Sequence, residues 1–228
     1  MTRIPRLERG FPLLAAAGYK KTSEATGRPG TPGTYNCIAW AAEETWHGFW
    51  WPEPGGYWPF WIRKPNPTVE CFVTTFRSLG YVMCDNSKVE RFYDKVALYA
   101  IHESKNPQSL PRSPRDFAKW EPTHMARQLA NGSWTSKCGK DEDIEHRTCW
   151  GLNSYGIRNG AINEYGCAVL YMKRLRIVSV FVRSMQRIQW KIEAYLRTGR
   201  LPRFIRNLPK RYPFFCFTVS SGGVVRPF

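Results

Sequence analysis

THMARQLANGSWTSK, residues 123–137, decides the fold. Asn131-Gly132 is the pair that best suits a tight hairpin, because both positions accept positive φ and so match the twist of paired strands. The pair joins two short runs, Thr123–Leu129 and Ser133–Lys137, each of strand length. A third run, Lys95–Ile101 (KVALYAI), reads as a buried strand from its continuous apolar character. The three together predict an antiparallel meander.

Upstream of the meander the pattern is helical. Over Thr68–Leu79, Val69, Phe72, Val73, Phe76 and Leu79 form an apolar stripe, Pro67-Thr68 supplies the start and Gly80 the stop. Tyr81–Cys84 predicts a short strand, closed by Asp85-Asn86-Ser87. Cys37–Trp46 predicts a helix, entered from the loop GRPGTPGT and capped by Thr34 or Asn36. His47–Trp61 is a loop of aromatics, prolines and glycines. A helical layer followed by a meander is an α+β arrangement. Residues 1–33 predict a flexible segment, 34–172 the folded domain and 173–228 a basic helical extension. His102–Pro122 predicts an excursion, and Asp141–Tyr171 mixed loop and short helix. From Val169 to Leu196 apolar positions recur every three or four residues. That predicts one long amphipathic helix docked on the domain, with Arg176, Arg183, Arg187 and Lys191 on its solvated face.

The net charge of +16 is concentrated at one end. Residues 173–228 hold 13 Lys/Arg against the single acid Glu193, whereas residues 1–172 hold 21 against 17. Such an extension is attracted to anionic surfaces, membrane or nucleic acid. Hydrophobic content of 43% belongs to a chain that folds. Seven cysteines without a CxxC pair, no signal-peptide pattern and no long apolar run predict free thiols in a reducing cytoplasm.

Two residues carry the candidate chemistry. Cys37 stands at a helix start, where free N–H groups and the helix dipole favour a thiolate. His124 begins a strand, which would hold a general base rigidly. A base needs a partner to fix its tautomer; Ser136 on the returning strand is the choice by register, with His146 the alternative. Cys138, His146 and Cys149, completed by His124, form a competing zinc set of irregular spacing. The aromatic loop is either a groove for a peptide or glycan, or a lid over the core.

Loop–Cys–helix followed by a strand-initial His and an Asn-Gly hairpin resembles the core of the papain-like NlpC and CHAP amidohydrolases. The segments YNCIAWAAEET, PTVECFVTTFRSLGY, KVALYA, PTHMARQL and GSWTSKCGKDEDIEH also resemble a poorly characterised bacterial domain family of that layout. The resemblance spans about residues 33–172. It implies a cysteine hydrolase without a cofactor, acting on an amide or ester bond of a peptide, glycopeptide or acyl substrate. Cys37 would be the nucleophile and His124 the base. Ser136 would be the third residue, where that superfamily more often has His, Asn or Asp. The alternative function is a catalytically silent binding module of the same fold, using the aromatic groove and the basic tail.

Overall fold

The computed structural model describes residues 3–23, 35–45, 48–59, 62, 65–103, 117–138, 142–154 and 165–198. By its contacts the chain divides into two compact units, Met1–Arg187 and Ile188–Phe228. The first holds α1 (Pro5–Gly10), α2 (Leu14–Ala17), β1 (Tyr19–Ser23), α3 (Cys37–Ala41), α4 (Val69–Ser78), β2 (Val82–Cys84), β3 (Tyr93–His102), β4 (Trp120–Gln128), β5 (Trp134–Lys137), β6 (Asp143–His146) and β7 (Cys167–Leu175). It also holds the start of α5 (Arg176–Thr198).

The seven strands form one antiparallel sheet in the order β1-β6-β5-β4-β3-β7-β2. The expected meander is its centre, and the class is α+β. Helices cover both faces. On the first, α3 and α4 pack with Val96, Leu98, Ala100, Met125, Leu170 and Met172. On the second, Leu7, Phe11 and Leu14 of the N-terminal helices pack with Ala97, Tyr99, Ala126, Trp134 and Ile144. Alternate residues of β3 therefore enter different cores, as the two-residue period of a strand requires.

Several elements differ from expectation. Residues 5–23 are ordered helix and strand: Pro5 starts α1, and β1 pairs with β6 at the sheet edge. β6 itself was hidden in a stretch read as loop. The run beginning at Val169 is first a strand, and the helix starts only at Arg176. β7 lies between β3 and β2 with both faces covered, so its residues are apolar almost throughout and imitate the periodicity of a buried helix.

The helix at Cys37 ends at Ala41 instead of Trp46 because Glu43 adopts φ 58°. The N–H of Glu44 donates to the Ala39 carbonyl (3.0 Å) and that of Glu43 to Trp40 (3.2 Å), a Schellman close with Glu where Gly is usual. α4 fits its expected span. Thr68 caps it, accepting from the Cys71 N–H, and Gly80 follows at φ 87°.

Candidate functional site

Asn36 is the N-cap of α3, its Oδ1 accepting from the Ala39 N–H at 3.1 Å. The same side chain clamps the aromatic loop: Nδ2 donates to the Trp50 carbonyl (2.7 Å), and Oδ1 accepts from the Trp50 N–H (3.2 Å). Cys37, the next residue, is buried in the first core. The N–H groups of Met125, Cys37 and Ile38 and the charge of Lys137 favour its thiolate. Burial outweighs them and pushes the thiol up to about 11. Beside it Lys137 pairs with Asp143 (3.6 Å), and the Tyr35 hydroxyl donates to Asp143 at 2.6 Å.

His124 lies on the other face. Its ring stacks on Tyr165 at 4.1 Å and meets the edge of Tyr99 at 5.3 Å, and both tyrosines belong to the second core. Neighbouring Met125 belongs to the first core with Cys37. The cause is a bulge. Tyr99 pairs with His124 and Ala100 with Pro122, leaving Thr123 as an extra residue of β4. Trp120 lies in the first core, so unbroken alternation through Thr123 would carry His124 to that face too. The Thr123 hydroxyl lies 2.7 Å from the Tyr165 carbonyl and 3.2 Å from that of Tyr99. The expected Cys37–His124 pair is thus not brought together, and the sheet lies between them.

Ser136 does meet an imidazole, that of His146 instead of His124. His146 Nδ1 donates to the Thr148 carbonyl (2.8 Å), which leaves Nε2 to accept from the Ser136 hydroxyl (3.0 Å). Burial holds His146 down at about 4, and holds His124 well below the ordinary imidazole range, with the charge of His146 adding to the effect. Neither ring nitrogen of His124 has a hydrogen-bond partner among the described residues. Among those residues no group of three His, Cys, Asp or Glu side chains is placed to hold a metal ion, so the zinc set does not assemble. The aromatic loop behaves as a lid. Trp50 is buried with its Nε1 donating to Glu44 (2.7 Å), and Trp51 and Trp58 rest edge-on against Phe72.

A family described as a domain of unknown function, DUF7689, matches residues 22–173, or 152 of the 228 residues. The chain belongs to the DUF7689 family. No curated protein and no solved structure matches it.

The DUF7689 match stops before α5, and α5 holds the most unexpected arrangement in the molecule. Three of its polar residues bond toward the sheet. Arg183 donates to Glu43 (2.9 Å), Ser179 donates to Asp94, and Arg176 donates to Asp94 (3.2 Å). Glu43 also receives Arg127 (2.8 Å) and the buried Arg174 (2.9 Å), so one carboxylate gathers three guanidiniums. Ile177, Val180, Phe181 and Met185 are exposed, as are Ser184 and Arg187. Of the expected docked stripe Val178 and Val182 turn toward the domain while Phe181 and Met185 do not, and of the expected solvated charges Arg176 and Arg183 bond inward while Arg187 is exposed. The missed residue is Glu43, and its only sequence signal is an acid at the end of a predicted helix.

Proposed function

We propose that this DUF7689 domain keeps the helix-on-sheet plan of the papain-like amidohydrolases and serves as a binding module, with its partner held on the outer face of α5. The observation that carries the reading is the placement of Cys37 and His124 in separate cores. A general base must come within about 3 Å of the proton it takes. An imidazole beyond a sheet does not. The raised thiol and the two lowered imidazoles point the same way, since a weakly acidic thiol does not give its proton to a weakly basic ring.

A second reading, thiol hydrolysis with Lys137–Asp143 in place of an imidazole, is favoured by the three N–H groups and the cation acting on the Cys37 sulfur. Those N–H groups would then serve a developing oxyanion. The burial of the thiol weighs against it.

The test is the pH dependence of Cys37 alkylation by iodoacetamide, followed by mass spectrometry to separate it from the other cysteines. The expected result is slow modification at neutral pH, with reactivity rising only toward the raised pKa of about 11. His124→Gln is expected to leave the profile unchanged. A thiolate titrating well below about 8.5 and lost in His124→Gln would overturn the reading in favour of a cysteine hydrolase.

A further inference from the structure

We infer that the outer face of α5 seats on an anionic lipid bilayer and holds the domain there as a peripheral protein. This rests on the binding-module reading and names its partner. Ile177, Val180, Phe181 and Met185 fall at i, i+3, i+4 and i+8, one face of a helix, and are 78%, 57%, 66% and 50% exposed. The helix beneath them is anchored through Ser179 and Arg183 on its inner side, so this face is turned out by specific bonds.

A second feature extends the patch. Phe92 holds φ 71°, a conformation that is a genuine outlier for a bulky residue, and is 60% exposed. Its carbonyl accepts the N–H of Arg176 at the start of α5 (2.8 Å), and the Arg91 guanidinium lies 4.8 Å over its ring. Exposed Leu175 lies between Phe92 and the helix face in the chain path. An aromatic side chain presented to solvent under backbone strain, with an arginine stacked on it, suits the boundary between headgroups and acyl chains.

Charge selects among occupants. The nearby acids are neutralised: Asp94 by Arg176, Glu43 by three arginines, and Glu90 by Lys95 and Lys173. Beyond those pairs, the sequence from residue 184 onward holds nine Lys/Arg against the single acid Glu193. A second copy would bring like charge against like charge. Nucleic acid would pair with the cations and leave the apolar row in water. An anionic bilayer answers both the exposed apolar row and the positive charge of the sequence that follows it. No described helix is long and apolar enough to cross a membrane, so the helix lies on the surface.

The experiment is flotation of the full chain with vesicles of phosphatidylcholine alone, or with about a third phosphatidylserine. Flotation is expected with the anionic vesicles only, weakening as salt rises from about 0.1 to about 0.5 M. Phe181→Glu and Ile177→Glu are each expected to lower partitioning about tenfold, with thermal melts like the wild type. Absence of flotation, or variants that float like the wild type, would overturn the proposal. A Phe181-dependent dimer, or DNA binding indifferent to Phe181→Glu, in a protein that does not float would also overturn it while sparing the binding-module reading. Cys37-dependent hydrolysis would instead defeat the binding-module reading, whatever the vesicles show.

Discussion

Between Trp120 and Met125, strand β4 carries one residue more than its partner β3, and that residue, Thr123, is held by two carbonyls of neighbouring segments. The bulge breaks the alternation that would carry His124 from Trp120 onto the face of Cys37, and the ring sits instead in a pocket of tyrosine rings, where burial keeps it neutral. His146 on the same face is likewise held down at about 4. In an unfolded chain both would titrate near about 6.5. The unfolded state therefore binds more protons between those values, so stability is complete above about 6.5 and is lost as pH falls toward about 4. For His146 alone the loss amounts to about 3 kcal/mol. His124→Phe keeps the aromatic stack and removes one such proton site. Urea midpoints across pH 4–7 are expected to show a shallower acid decline in this variant, and an unchanged slope would contradict the assignment. At this scale the sequence told half the story. Asn131-Gly132 declared the hairpin, because turn chemistry is local. The bulge was silent, because Thr123 is an ordinary strand residue and its role comes from carbonyls 24 and 42 positions away.

Element α3 ends where Glu43 takes a left-handed conformation that glycine would adopt without penalty. The strain is offset by what the position provides, a nearly buried carboxylate that reaches Arg127 on β4, Arg174 on β7 and Arg183 on α5. Arg174 in turn donates to the Leu79 carbonyl (3.0 Å) and lies 4.3 Å over the Tyr81 ring. Glu43→Gln leaves buried guanidiniums uncompensated and is expected to cost about 3 kcal/mol, toward the lower end for a broken buried pair because Arg183 is partly exposed. Chemical denaturation would measure it, and a loss below about 1 kcal/mol would show the hub to be incidental. α4 was legible to within a residue or two, since its stripe, cap and stop agree. In α5 periodicity established a helix but not its orientation. Its polar and apolar faces recur with the same spacing, and the choice between them is made by Asp94 and Glu43, far away in sequence.

At the scale of the molecule, seven antiparallel strands divide two cores, and the apolar side chains of residues 96–100 of β3 alternate between them. The layered α+β class follows from hydrophobic patterning and was readable. Which core receives each candidate residue depends on register, and a single inserted residue reverses it. The DUF7689 match ends at residue 173, so the apolar face of α5 lies outside the matched span, whereas exposed Phe92 lies inside it. The sheet separates the Cys37 thiol from the His124 ring. Imidazole nitrogen shifts followed by NMR over pH 4–8, in wild type and Cys37→Ala, test it most directly. The expected result is a His146 ring neutral down to about pH 5 and a His124 ring that titrates well below the ordinary imidazole range, with His124 shifts that do not respond to loss of the thiol. An imidazolium at His124 near neutral pH that disappears in Cys37→Ala would reveal a thiolate–imidazolium pair and contradict the account.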